Sequence, residues 1–345
     1  MNIHTIILAA GEGSRMKSKR AKSLQRVGGK TMLEMICKTA GSISTKITLI
    51  VGFDKDSIIN ESKNFDFEIS TCEQASPIGT GDAVKCGINE VDDADKVLVL
   101  YGDVPLIKKE TLENLVSIDD KSLTILSTIV DDPFGYGRVK KDNDGNVTQI
   151  IEEKDASNED KKIREIFTGI LCCNKVLLAE ALKEIKNDNA AGEYYLTDIV
   201  SIINKKGFKI KTCIVSNEEV KGANTKKELS ELEETFRKMK SKDLLEMGIT
   251  VSDPNRVDVR GEVSAGTDCI IDVNVILDGV VKLGDNVSIG PNTILKDVEI
   301  GNNTSIEAFS HLVSSKVGKD CIIGPYARLR EGSQIDDSAK VGNFV

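Results

Sequence analysis

From Val259 onward, every sixth residue is apolar: Ala265, Ile271, Leu277, Leu283, Ile289 and Leu295. One step of five reaches Ile300, sixes continue to Ile306 and Leu312, and another five reaches Val317. Sixes then run on through Ile323, Leu329, Ile335 and Val341. Glycine follows the apolar residue at Gly284, Gly290, Gly301, Gly318, Gly324 and Gly342. This hexapeptide period specifies a parallel β-helix, in which each hexad supplies one side of a triangular coil and the repeating apolar residue points inward. Gly or Asn is expected where the turns need a positive φ. Solenoids bury their ends poorly, so capping or oligomerisation is expected.

The chain ahead of the repeat has a different character. Short β-branched runs at Thr5–Ala9, Ile47–Val51, Val97–Leu100, Leu123–Val130 and Phe208–Val215 alternate with helical stretches at Leu33–Ala40, Thr80–Gly87 and Lys175–Ile185. That alternation predicts an α/β unit with a largely parallel sheet. Ligands of such sheets sit beyond the carboxyl ends of the strands. Gly11 and the pair Gly102-Asp103 fall there, the latter just after Tyr101. Between the two regions, Thr225 and Glu228 are spaced as a capping box. They open one amphipathic helix with apolar residues at Leu229, Leu232, Phe236 and Met239, stopping at Gly248.

A length of 345 residues suits two domains, and no apolar run approaches the roughly 20 residues that span a bilayer. The first residues carry no basic segment ahead of their apolar stretch and read as a strand, which leaves the cytoplasm as the expected location and no membrane as a partner. Eight cysteines without a C-x-x-C pair read as reduced, mostly buried thiols, and no zinc site is expected. A net charge of −9 argues against nucleic acid as a partner. Against that acidity, Gly13 to Lys30 holds seven Lys or Arg residues and no carboxylate. Ala9, Ala10 and Gly11 leave backbone bare at the end of the first strand, and amides through Glu12 and Gly13 can face phosphate oxygens. Arg15 and Lys22 are near enough in sequence to add charge to the same phosphates. Asp103, a carboxylate at a strand's end after glycine, is a poor core residue and a good candidate for chemistry.

"LAAGEGSRM" followed by "AKSL" resembles the signature of sugar-1-phosphate nucleotidylyltransferases. "IGTGDAV", "LVLYGDVPLI", "DDPFGYGRV", "IIEEKDA", "TGIL", "AGEYYLTDIV" and "EVKGANTK" narrow the resemblance to one branch. With the hexapeptide tail, the whole chain resembles the bacterial bifunctional family joining N-acetylglucosamine-1-phosphate uridyltransferase to glucosamine-1-phosphate acetyltransferase. The resemblance implies a Rossmann-like nucleotidyltransferase domain with a mostly parallel sheet over 1–224, a linker helix over 225–248, and a left-handed parallel β-helix over 251–345. The implied reaction joins UTP and N-acetylglucosamine-1-phosphate into UDP-N-acetylglucosamine and pyrophosphate. Leu8, Ala9, Ala10, Gly11 and Gly13 would hold the nucleotide, Arg15 and Lys22 its phosphates, and Gln74, Gly79 and Thr80 its uracil. Asp103 and Asn224 would hold Mg²⁺, Tyr101 and Gly102 would line the substrate site, and Gly137 and Glu152 would meet the sugar. Arg330 matches a substrate-phosphate arginine of the tail domain, and family members assemble as homotrimers through that domain.

Three departures stand out. Ser14 replaces a threonine, Pro77 a glutamine on the uracil side, and Phe167 an asparagine that reaches the sugar, which puts the sugar in more doubt than the reaction. The family's acetyl-transfer lysine and histidine would lie beyond Val345, and the chain's histidines are His4 and His311. No acetyltransferase activity is therefore expected of this chain. The rival readings are a nucleotidylyltransferase for another sugar-1-phosphate and a non-catalytic regulatory homologue. Retention of Arg15, Lys22, Asp103 and Asn224 together favours the enzyme.

Overall fold

The computed structural model describes residues 2–91, 94–118 and 122–345. Two compact units emerge: residues up to Gln25 with Thr31–Leu229, and Arg26–Lys30 with Ser230–Val345.

In the first unit, nine strands form one sheet. They are β1 (Ile3–Leu8), β2 (Lys46–Val51), β3 (Ile69–Glu73), β4 (Lys96–Tyr101), β5 (Leu123–Ile129), β6 (Arg138–Lys141), β7 (Val147–Ile151), β8 (Glu165–Asn174) and β9 (Lys211–Ile214). The main path is β9-β5-β8-β4-β1-β2-β3, and β6 pairs with both β8 and β7. Strands β3, β2, β1 and β4 are mutually parallel, β9 is parallel to β5, and β8 is antiparallel to its neighbours β4 and β5. The strand order reverses beside β1, with β2 on one side and β4 on the other, so a crevice opens beyond the carboxyl ends of β1 and β4.

The strands read as continuous apolar runs because both faces of the sheet are covered. Ile6, Val97, Val99 and Cys173 pack in one core with Val84 of α3 (Thr80–Ile88), Leu178 of α5 (Lys175–Glu184) and Ile199 of α6 (Asp198–Lys205). Their chain neighbours Ile7, Leu98, Leu100 and Cys172 join the opposite core with Leu33 and Ile36 of α1 (Met32–Gly41) and Leu112 and Leu115 of α4 (Lys109–Ser117). Ile58 of α2 (Lys55–Ser62) belongs to that second core. Cys172 and Cys173 therefore stand on opposite faces, and all eight cysteines are free thiols, five of them buried. The expected strands fall on β1, β2, β4, β5 and β9, and the expected helices on α1, α3 and α5.

The second unit stacks its strands in two six-stranded parallel sheets. Partners are 18 residues apart at Val257↔Val275 and Ile270↔Ser288, and 17 apart at Val281↔Val298 and Leu312↔Leu329. The two five-residue steps in the sequence are thus coils shortened by one residue, with the register shift falling between Asp278 and Val281. Val259, Ile271, Leu277, Leu283, Ile289, Leu295, Ile300, Ile306, Leu312, Val317, Ile323 and Leu329 are all buried, while Ala265, Ile335 and Val341 are half-buried.

The glycines do not serve the purpose expected of them. Of the six that follow an apolar residue, only Gly324 has a positive φ, 98°. At Gly284, Gly290, Gly301 and Gly318 a Cβ would stand 2.2 to 2.8 Å from the next coil, so glycine is required by close stacking. Asn and Asp two residues further on take the left-handed turns, at Asn286, Asn292, Asn303 and Asp320. Their amides also ladder between coils, Asn286 Nδ2 donating to Asn303 Oδ1 and Asn303 Nδ2 to Asp320 Oδ1, each at 3.1 Å.

Candidate active site

The crevice beyond β1 and β4 holds a cavity of about 250 Å³ lined by Leu8, Ala9, Ala10, Gly11, Lys22, Gln74, Gly79, Thr80, Tyr101, Gly102 and Asp103. Backbone hydrogen bonds pin its floor. Gly102 N donates to Leu8 O at 3.0 Å and Ala9 N to Ile50 O at 2.9 Å, so the ends of three neighbouring strands are tied together. A Cβ on Gly11 would meet nothing within 4 Å, which leaves this backbone open for a ligand to lie against. Gly13 has φ 62°, and a Cβ there would stand 3.0 Å from Lys22 Cβ, so the glycine lets the lysine pass close behind the turn.

One wall is built from two segments distant in sequence. Tyr194 N donates to Ile78 O at 2.9 Å, Gly81 N to Tyr194 O at 2.8 Å, and Leu196 N to Thr80 Oγ1 at 3.1 Å. Gly79 has φ 132°, and a Cβ there would meet Tyr194 O at 2.4 Å. Gln74 is buried, and its Nε2 donates to Gly79 O at 3.1 Å and Asp82 Oδ2 at 2.9 Å. With the amide nitrogen engaged in the wall, Oε1 is the atom left to accept from a ligand. Pro77 lines the cavity and offers no donor.

The charged end is organised around Lys22. Its Nζ lies 2.5 Å from Asp103 Oδ2 and donates to Asn224 Oδ1 at 2.9 Å. Asn224 is itself set by the start of α7 (Lys226–Glu246): Glu228 N donates to Thr225 Oγ1 at 3.1 Å, and Glu228 Oε2 accepts from Asn224 N at 2.7 Å. The capping box read in the sequence therefore also positions a candidate site residue. Two hard oxygens from well-separated loops converge on one cationic centre, which here is the lysine ammonium. That convergence and that donor set suit Mg²⁺, which takes one or two protein oxygens and fills its remaining positions with phosphates and water. Among the described residues there is no cluster of three or more His, Cys, Asp or Glu side chains that could hold a metal by itself.

The sugar-side candidates lie beside this cavity. Glu152 Oε1 accepts from Thr197 Oγ1 at 2.9 Å. Burial first, and then the charges of Asp155 and Glu193, push the Glu152 carboxyl up, opposed by the Thr197 bond and by Arg138. A Cβ on Gly137 would stand 3.6 Å from Glu152 Oε1, so the two candidates are neighbours. Burial first, then the negative charge of Glu152, holds the Tyr101 phenol well above its usual range, so it stays a neutral hydrogen-bonding group. Arg15 is exposed in the short turn Ser14–Met16, outside the cavity lining. Arg330 is exposed in the second unit, in a turn where Ser333 N donates to Arg330 O at 3.0 Å. The ring of Phe167 is in the apolar core, and its N–H donates to Gly137 O at 2.8 Å.

Sequence reasoning missed three contributors. Glu193 lines the cavity from within the motif "AGEYYLTDIV". Ser23 also lines it, 4% exposed and with its hydroxyl unpartnered. Gly169 has φ 90°, and a Cβ there would meet the Tyr101 ring at 2.6 Å. A glycine inside the apolar run "TGIL" was the available signal, since strand glycines mark bulges or close approaches.

Comparison with known proteins points the same way. Residues 5–132 match the model of the MobA-like NTP transferase domain, and residues 281–313 that of the bacterial transferase hexapeptide (six repeats). The chain is 41% identical over 342 residues to the bifunctional protein GlmU of Alkalilimnicola ehrlichii, covering 99% of this chain and 73% of that protein. To the bifunctional protein GlmU of Burkholderia multivorans it is 42% identical over 348 residues, 100% of this chain and 76% of the relative. With that of Chromobacterium violaceum the identity is 39% over 346 residues, again 100% and 76%.

Proposed function

The chain belongs to the bifunctional GlmU family and is a nucleotidyltransferase; from that premise we propose that it transfers the uridylyl group of UTP to N-acetylglucosamine-1-phosphate, releasing pyrophosphate. The observation that carries this reading is the grip of Asp103 and Asn224 on the Lys22 ammonium at the mouth of the cavity beyond β1 and β4.

The uracil lies against the wall of Gln74, Gly79 and Thr80, where Gln74 Oε1 accepts from the base's imide N–H. The ribose and α-phosphate cross the bare backbone of Ala9, Ala10 and Gly11, with no side chain to keep them away. Lys22 places its charge on the phosphates, and Arg15, exposed in its turn, adds a second charge from the solvent side. The sugar is held by Glu152 and by the main chain at Gly137. A phosphate monoester has a second pKa of about 6 and is mostly a dianion at neutral pH, so its oxygen attacks the α-phosphorus in line without a protein base. Mg²⁺ held by Asp103 and Asn224 would neutralise charge on the reacting phosphates. Pyrophosphate leaves from the side opposite the attack.

No helix among the described residues is long and apolar enough to cross a membrane, and we place the enzyme in the cytoplasm. Apolar side chains exposed on the β-helix, among them Ile270, Val280 and Ile322, support a homotrimer formed through that unit. The division of roles follows the sequence reading: transferase over 1–224, helix over 225–248, β-helix over 251–345.

A pyrophosphate-release panel of nucleoside triphosphates against sugar-1-phosphates, with and without Mg²⁺, tests the reading. UTP with N-acetylglucosamine-1-phosphate should be fastest and metal-dependent. A different best pair, or no release from any pair, overturns it.

A further inference from the structure

Two consecutive carboxylates, Glu152 and Glu153, follow β7 and take different hydrogen-bond partners. Glu152 turns to Thr197 and the sugar side, as described above. Glu153 turns to Arg138, the first residue of β6 and 1% exposed. Arg138 Nη2 lies 2.5 Å from Glu153 Oε2, and its Nη1 donates to Tyr136 O. The same Glu153 Oε2 accepts from Gly135 N at 3.1 Å. One carboxylate and one guanidinium thus hold the loop over residues 133–137 at two backbone positions, an amide and a carbonyl. Gly135 sits at φ 84°, and Phe167 N donates to Gly137 O at 2.8 Å, so the loop is fixed at its end as well. At the rim, Lys161 Nζ reaches Glu153 Oε1 at 3.7 Å from a half-exposed position. Loops that carry a ligand contact need such support, because a contact displaced by an ångström loses most of its value.

We propose that the Arg138–Glu153 ion pair is a positioning latch that sets the 133–137 loop and thereby fixes affinity for the sugar phosphate separately from the nucleotide. This rests on the proposed reading that Gly137 and Glu152 meet the sugar. Neither latch residue touches substrate; both act through the loop backbone.

Steady-state kinetics on the full chain separate this role from plain structural support. In Glu153→Gln the KM for N-acetylglucosamine-1-phosphate should rise about tenfold, with the KM for UTP within about twofold of wild type. Lys161→Met, which removes only the rim contact, should change neither. If Glu153→Gln does not fold, Glu153→Asp keeps the charge, shortens the reach and should show the same selective rise in smaller measure. Destabilisation alone would lower the amount of active enzyme and leave both KM values in place; that outcome, or an equal rise in both, overturns the proposal. A second readout needs no activity. Phe134 and Tyr136 are exposed, and chymotrypsin should cut at them several-fold faster in Glu153→Gln while cutting at the exposed Phe208 is unchanged. Equal cutting at the loop in both proteins sinks the latch. Absence of UDP-sugar formation by the wild type, with faster loop cutting in the variant, removes the proposed substrate and leaves the latch standing.

Discussion

Gly79 in the cavity wall and Asp198 near Glu152 show how conformation and charge are imposed by surrounding residues. Gly79 holds φ 132° with the Tyr194 backbone where a Cβ would go, so Gly79→Ala must either strain the chain or push the 194 segment off the wall. We expect a loss of about 2 kcal/mol in stability and at least about a tenfold fall in kcat/KM for UTP, measured by thermal melting and pyrophosphate release. Asp198, at the start of α6, has its carboxyl pushed up to about 6, by burial first and then by Glu152, Asp155 and Asp188. A carboxyl raised in the folded state binds protons more tightly there than when unfolded. Stability from this group is therefore present at pH 4 and lost as pH climbs to about 6, flat above that. Asp198→Asn should remove this decline, gaining on the order of 1 kcal/mol over wild type at pH 7.5 relative to pH 4.5 in parallel melts. At this scale the sequence pointed to candidate residues more readily than to what they touch. Gly11 and Asp103 declared themselves by standing at strand ends, but the meeting of Lys22 with Asn224, 202 positions apart, depends on a tertiary fold that no local pattern encodes.

Elements differ in legibility according to whether their period is repeated. The β-helix could be read almost residue by residue, because each inward position is reinforced by the one a coil away, and even the two steps of five appear as 17-residue coils. What misled was the glycine, whose place in a turn suggested backbone freedom when the stacking distance was the reason. In the sheet, β4 announced itself as a continuous apolar run. The ten-residue β8 did not: "EIFTGILCCN" carries a glycine and a bulge between Phe167 and Leu171, and its antiparallel direction comes from its place between β4 and β5. The same solenoid logic makes a prediction. Leu295 is fully buried in the core of the β-helix, in register between Leu277 and Leu312 of the adjacent coils, so Leu295→Ala should cost about 3 kcal/mol within the second unit. Hydrogen exchange should quicken around residues 277–312 while pyrophosphate release stays at the wild-type rate; loss of the transferase reaction would show that the helix core does more than support itself.

At the scale of the molecule, two of its three apolar cores enclose the sheet that carries the site, and the third fills the β-helix. An acidic chain with net charge −9 sets seven cations between Gly13 and Lys30, five of them (Arg15, Lys17, Lys19, Arg20 and Lys22) in the first unit and Arg26 and Lys30 in the second. Acetyl transfer to an amino sugar makes a different demand, a group that takes a proton from the attacking amine, and histidine most often fills that role. This polypeptide has two histidines. His4 is 3% exposed in β1, with Nε2 2.7 Å from Thr48 Oγ1, and serves the sheet. His311 is half-buried on the strand His311–Val317, in register between Ile294 and Arg328 of the adjacent coils, and its N–H donates to Ala327 O at 2.9 Å. On the proposed reading, the 345-residue polypeptide given glucosamine-1-phosphate and acetyl-CoA is expected to release CoA no faster than buffer does, while the same preparation turns over UTP. CoA release that disappears in His311→Ala would assign that histidine the role of base and make the solenoid a second catalytic unit.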